Sequence, residues 1–108
     1  MKPPFDSLAF IEAITSGQVS WRKHVLKRLL ERGITQASVL ECVCTGECIQ
    51  AYPEDTLFPS ALFFAFVENK PLHVVAAFDE IEKKAYIITT YEPSLDIFEP
   101  DFKSRKRP

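Results

Sequence analysis

Two histidines, two arginines and a tyrosine have the types and spacing for chemistry on a phosphodiester. His24, Arg28 and Arg32 recur every four residues, so a helix would align them in one stripe. With Trp21 at zero and about 100° per residue, Val25, Leu29, Leu26 and Leu30 spread over about 40–180° as one broad apolar face. Lys23, Lys27 and Glu31 fall opposite, and the histidine–arginine stripe runs along the border between the two. A border stripe can reach into a cleft between the helix and its neighbour. Further along, His73 and Tyr91 lie in strand-like segments. Histidine titrates near neutrality and serves as base or acid. Arginine offers phosphate a fixed fork of donors, and tyrosine can stack on a base or donate a proton. Internal transesterification of RNA needs these parts and no metal: a base for the 2′-OH, a cation at the phosphate and an acid for the leaving oxygen. The candidate catalytic residues are therefore His24, Arg28, His73 and Tyr91, with Arg28 and Arg32 as phosphate-binding residues. Each also has an ordinary structural role open to it. His24 fits a half-buried helix border, and His73 a strand position with a backbone partner. Tyr91 fits a sheet aromatic, and the arginines fit ion pairs with Glu31 or the acidic second half.

The elements that must position these residues are legible in outline. Asp6 or Ser7 caps a first helix of roughly 7–16, which Gly17 stops. A second helix is expected from about Ser20, as cap, to Arg32, with Gly33 as stop. Thr35 caps a third, which Gly46 ends. The period then changes. Strands are expected at 48–52, 61–68, 72–78 and 85–91, with turns at Asn69-Lys70 and over 79–84. Alternation puts Leu72, Val74, Ala76 and Phe78 on a core face and His73 on the other. In the last strand it groups Ile87, Thr89 and Tyr91 on one face, and Tyr86, Ile88 and Thr90 on the other. Short connections make consecutive strands antiparallel. The expected fold class is α+β, two or three N-terminal helices packed on a small antiparallel meander of about four strands. It forms a single domain over 1–102, followed by a mobile basic tail at 103–108.

Composition bounds the function. The chain has 108 residues, 46% hydrophobic, with a formal net charge of −2. That size can bury a modest core without disulfides or metals. No apolar run approaches the ~18–20 residues of a membrane span, and the N-terminus lacks a signal-peptide core, so no membrane partner and a cytoplasmic location are expected. The near-neutral total conceals segregation. Residues 22–32 hold five cations against one acid, 33–102 three lysines against twelve acids, and 103–107 four cations. Indiscriminate nucleic-acid binding is disfavoured, while a local phosphate site is allowed. Cys42, Cys44 and Cys48 follow no common zinc spacing and are expected to be reduced thiols filling apolar space. Neither a metal nor another cofactor is expected. No dinucleotide fingerprint, P-loop or nucleophile elbow occurs.

The segment W-R-K-H-V-L-K-R-L-L-E-R-G-I-T (21–35) resembles the opening motif of a prokaryotic family designated domain of unknown function 4258. The positions concerned are His24, Arg28, Arg32, Gly33, Ile34 and Thr35. The blocks G-E-C-I-Q-A-Y-P-E-D (46–55), P-S-A-L (59–62), P-L-H-V-V-A-A-F-D (71–79) and I-I-T-T-Y-E-P (87–93) follow in the family's order. Val25 stands where alanine is usual and Leu29 where methionine is common, and the cysteines lie outside the pattern. The family is similar to RelE-type toxins and to the motility quorum-sensing regulator toxin, small α+β ribonucleases without metals that a cognate antitoxin neutralises. The resemblance thus implies an endoribonuclease acting on RNA, held by an antitoxin-like protein partner, with His24, Arg28, Arg32, His73 and Tyr91 as its motif residues. A non-catalytic protein-interaction module, in which these residues brace the helix on the sheet, is the alternative. A nucleic-acid binder without chemistry is a third.

Overall fold

A computed structural model describes residues 3–55 and 57–106. Three helices, α1 (Ser7–Thr15), α2 (Lys23–Arg32) and α3 (Gln36–Thr45), cover one face of a five-stranded mixed sheet. The strands are β1 (Val19–Trp21), β2 (Glu47–Tyr52), β3 (Ser60–Val67), β4 (Lys70–Asp79) and β5 (Lys84–Tyr91), in the spatial order β1-β5-β4-β3-β2. The α+β class and the antiparallel β2–β5 meander agree with the sequence. The fifth strand does not follow from it. Val19–Trp21 pairs in parallel with Ala85–Ile87, and α2 begins only at Lys23, with Arg22 as a cap that makes no side-chain hydrogen bond. Three residues are too few to show a period of two. Ser20 reads as a helix cap, yet its neighbours Val19 and Trp21 have strand propensity and pack against the core.

β1 covers only the first half of the β5 edge, and α2 packs along β5 beyond it. A helix lying along a sheet edge buries a narrow stripe. Val25 and Leu29 are buried, whereas Leu26 and Leu30 are 38% and 86% exposed. The broad apolar face expected for this helix is thus corrected to half its width. Gly33 closes α2 in the left-handed region (φ 67°), its N–H and that of Ile34 returning to Leu30 and Leu29, as a left-handed helix stop does. Gly46 has a different necessity. A Cβ there would stand 2.3 Å from the Cys42 carbonyl oxygen and 2.6 Å from that of Phe64, so only glycine lets α3 turn into β2.

The core lies between helices and sheet. Phe10 of α1 stacks on Phe63 at 5.4 Å and meets Phe78 edge-on at 5.7 Å, and Leu72, Val74, Ala76 and Phe78 all face inward and are buried, as alternation requires. The β3–β4 turn falls on Glu68 and Asn69, both at positive φ, one residue before the position expected. This suits the right-handed strand twist. The far face of the sheet has two partial covers. One is the β2–β3 loop, where Phe58 stacks on Tyr86 at 5.4 Å and Ser60 hydrogen-bonds Asp55. The other is the chain after Tyr91, which returns with Phe98 buried. Residues 103–106, the start of the expected mobile tail, carry backbone bonds in which Glu99 N donates to Ser104 O and Lys106 N donates to Ile97 O. Arg107 and Pro108 lie outside the described residues.

Candidate functional site

The two histidines sit in opposite environments. His24, in the first turn of α2, is exposed and lines a cleft of about 230 Å³ between that helix, β5 and the β2–β3 loop. Arg22, Asp55, Phe58, Tyr86 and Ile88 share the lining. A base-capable imidazole, a guanidinium, a carboxylate and a phenol ring therefore meet on one solvent-open surface. Arg22, Asp55 and Tyr86 are not among the residues singled out from the sequence. Arg22 interrupts strand and helix and belongs to neither periodicity. Asp55 sits in a loop, where no period operates. Tyr86 was visible as a residue on the face opposite Ile87, but nothing in the sequence tied it to His24.

His73 is wholly buried on the covered part of the far face. Its Nε2 lies 2.6 Å from the Phe102 carbonyl oxygen and its Nδ1 3.3 Å from the Tyr91 hydroxyl. A carbonyl only accepts, so Nε2 carries the ring proton and Nδ1 accepts from the Tyr91 O–H. Phe98 meets the ring edge-on at 4.8 Å and Phe64 at 5.6 Å. Burial pushes the His73 pKa down, opposed by the bond to Phe102 and reinforced by the nearby Arg105 charge. Burial likewise raises the Tyr91 pKa, with Arg105 acting against it. Near neutral pH the pair is an uncharged imidazole held by an intact phenol.

Tyr91 reaches His73 through a bulge. Val75 pairs with Thr89 and Ala76 with Ile87, leaving Ile88 as an extra residue in β5. A bulge re-aims everything beyond it. The expected grouping of Tyr91 with Ile87 is corrected: Ile87 and Thr90 turn to the helix side and are buried, while Tyr91 pairs with His73 on the far face that Tyr86 shares. Thr90 then donates its hydroxyl to the His73 carbonyl at 2.9 Å.

The stripe on α2 divides in the same way. Arg32 donates from its guanidinium to the Thr90 carbonyl, satisfying an edge acceptor of β5 past the end of β1. Arg28 pairs with Glu31 at 2.8 Å on the surface. The structure thus brings His73 and Tyr91 into contact, attaches Arg32 to the backbone beside them, and sets His24 in a separate cleft further up β5. Arg28 lines neither place.

Cys42 is buried with its thiol donating to backbone carbonyls of Phe63 and Leu72, and burial raises its pKa to about 12. Burial also raises Cys44 and Cys48. All three are free thiols, poor nucleophiles at neutral pH. Among the described residues, no three His, Cys, Asp or Glu side chains group closely enough to hold a metal ion, and no helix is long and apolar enough to cross a membrane.

No curated protein and no solved structure matches the chain. The model of one family, Domain of unknown function (DUF4258), matches residues 21–92, from the strand that leads into α2 to the residue after β5, and the chain belongs to that family.

Proposed function

We propose that this protein is a metal-independent endoribonuclease of the RelE-like toxin kind, cutting RNA at the cleft between α2 and β5. The observation that carries the reading is the placement of His24. It is the solvent-open histidine, and its cleft also holds a guanidinium, a carboxylate and an aromatic ring. In this reading His24 takes the 2′-OH proton and Arg22 faces the phosphate, while Arg28, one turn beyond His24 on α2, joins it only on leaving Glu31. The 2′-oxygen attacks phosphorus and the P–O5′ bond breaks. The leaving 5′-oxygen takes its proton from water in the open cleft. Asp55 orients the imidazole and Tyr86 offers its ring to a base. Arg32, His73 and Tyr91 hold the strand and its bulge in place. The products are a 2′,3′-cyclic phosphate and a 5′-hydroxyl.

The test is incubation of the pure protein with single-stranded and ribosome-bound RNA in EDTA, with the product ends identified. Cleavage that vanishes in His24→Ala, at unchanged melting temperature, is the expected result. Absence of cleavage on both substrates by the wild-type chain would sink the reading. An antitoxin-like protein in the same cytoplasmic compartment would find apolar contacts on α2 at Leu26 and Leu30.

The alternative, a non-catalytic interaction module, has its own observation. Arg32 and His73 both bind main-chain carbonyls, as bracing residues do, and Leu30 is left 86% exposed. Under that reading Leu30→Ser abolishes capture of a partner while His24→Ala does not.

A further inference from the structure

The groove at the opposite end of the far face holds a second set of groups that the cleavage chemistry does not use. It encloses about 430 Å³ between β2, β5 and the returning C-terminal segment, and its wall includes Gln50, Tyr52, Tyr91, Lys103 and Arg105. That volume lies in the range of ligand sites. No carboxylate lines it, although residues 33–102 carry twelve acids. Two acids close to its cationic wall, Glu47 and Asp101, are already engaged. Glu47 pairs with Lys103 at 3.3 Å. Asp101 accepts from the backbone N–H groups of Lys103 and Ser104 and from the Ser104 hydroxyl, and these bonds hold its pKa low. Arg105 has no ion pair among the described residues. Its guanidinium is placed 5.4 Å from the centroid of the buried Phe98 ring, so the charge sits on a fixed platform beside the groove.

We propose that this groove binds the phosphate backbone of single-stranded RNA, as an anchoring subsite for the strand cut at the α2–β5 cleft, and in that respect it rests on the proposed function. Arg105 takes a phosphate by its fork of donors, and Lys103, whose charge is shared with Glu47, adds a weaker point charge. Tyr52 offers a ring on which a base stacks, and the Gln50 amide meets a base edge. The Tyr91 hydroxyl donates its hydrogen bond to His73, so its oxygen is left to accept, from a base amino group. The two ends of the face are joined by β5. Tyr86 lines the first cleft and Tyr91 the second groove. Five residues of strand span about 17 Å, which a stacked strand covers in about five nucleotides at ~3.4 Å each. This falls within the site sizes of single-strand binding surfaces. An acidic protein segment would satisfy the charges and leave the rings and the amide without a purpose.

The test separates anchoring from cleavage by using a ligand that cannot be cut. A 2′-O-methyl oligouridylate of about ten nucleotides, labelled for fluorescence anisotropy, is titrated against the full chain and against Arg105→Gln, Lys103→Gln and Lys83→Gln. The expected result is at least a tenfold loss of affinity in Arg105→Gln, a smaller loss in Lys103→Gln, a shallower salt dependence in both, and near-wild-type binding in Lys83→Gln, an exposed cation of the β4–β5 turn outside both sites. Pyrophosphate should compete, and polyglutamate should not at equal charge. Melting curves accompany each variant. Should Arg105→Gln unfold, Lys103→Gln, at an exposed side chain, decides the matter. Equal affinity across wild type and the folded variants overturns the subsite, as does tighter competition by polyglutamate than by the oligonucleotide. Arg105-dependent binding in a chain that cuts no RNA retains the groove as a strand-binding site and overturns the cleavage reading alone. Cleavage with Arg105-independent binding does the reverse.

Discussion

The far face of the sheet has a wet end and a dry end, and the same residue type does different work in each. His24 stands in a cleft open to solvent with a cation, a carboxylate and a ring around it. His73 stands under Phe98 and the returning chain, both ring nitrogens engaged and the charged form disfavoured by burial. A histidine serves acid–base chemistry when it can exchange its proton with a substrate. The His73 proton stays on Nε2, which donates it to the Phe102 carbonyl. The pair teaches that a histidine in a motif is a statement about position, and burial decides whether that position is chemical or structural.

The largest expected effects break this contrast from both sides at once. His24→Ala should lower RNA cleavage by about 10²–10⁴-fold, the usual contribution of a positioned acid–base group, with stability changed by no more than about 0.5 kcal/mol. His73→Ala should do the opposite in kind. It removes a buried ring and leaves the Phe102 carbonyl and the Tyr91 hydroxyl without their partner. A loss of about 2–4 kcal/mol follows, or roughly 10 °C or more in melting temperature for a domain of this size. Activity measured well below the melting point of that variant should survive in part. Equal loss of activity per folded molecule in both variants would erase the distinction.

The next effect is a pH dependence of stability that arises at the dry end. Burial holds the folded-state pKa of His73 below its unfolded value of ~6.5. Above ~6.5 the ring is neutral in both states and its stabilising contribution is fully present. As pH falls below ~6.5 the unfolded chain takes up the proton first, so stability declines until the folded pKa is passed. Its slope is at most about 1.4 kcal/mol per pH unit for one group. Urea titrations from pH 7.5 to 5 should show this decline in the wild type and a smaller one in His73→Gln. A profile unchanged by the substitution would remove His73 from the account.

How far the sequence reached follows the same division. Capping and periodicity placed α1, α3 and the four-strand meander because those signals are local. The placement of β1 depends on pairing with a strand about 65 residues later, and no local signal carries that. The bulge at Ile88 is a one-residue event that reverses a face, so Tyr91, which alternation groups with Ile87, meets His73 on the far face. His24, Arg28 and Arg32 all fall within α2 at a four-residue spacing. Their division into cleft, surface pair and edge bond depends on where β1 stops, which only the assembled sheet defines. The partners of His73 lie at Phe98 and Phe102, in a segment whose composition suggests a connection to a solvated tail.

Arg32 and Arg28, one turn apart on α2, supply the finest comparison. Arg32 donates to the Thr90 carbonyl at the unpaired part of the β5 edge. Arg32→Ala should cost about 1.5–3 kcal/mol, the range of hydrogen bonds made by charged groups. It should also speed amide hydrogen exchange in the second half of β5, because the helix then loses its bond to that edge. Arg32→Lys should recover part of this, since a point charge can reach the carbonyl without the fork.

Arg28 makes an ion pair with Glu31 while both side chains remain about half exposed, at 56% and 46%. Water screens such a pair, and holding two long side chains together has an entropic cost. Arg28→Ala should therefore change stability by less than about 0.5 kcal/mol at physiological salt, below the effect at Arg32 and near the limit of a denaturant titration. The informative readout is RNA affinity at two salt concentrations. If Arg28 turns from Glu31 to a substrate phosphate, the alanine variant binds more weakly and with a shallower salt dependence, and Glu31→Gln, which frees the guanidinium, binds more tightly. If neither variant moves the affinity, Arg28 is a solvated helix charge, and the wet end of the face works through Arg22 and His24 alone.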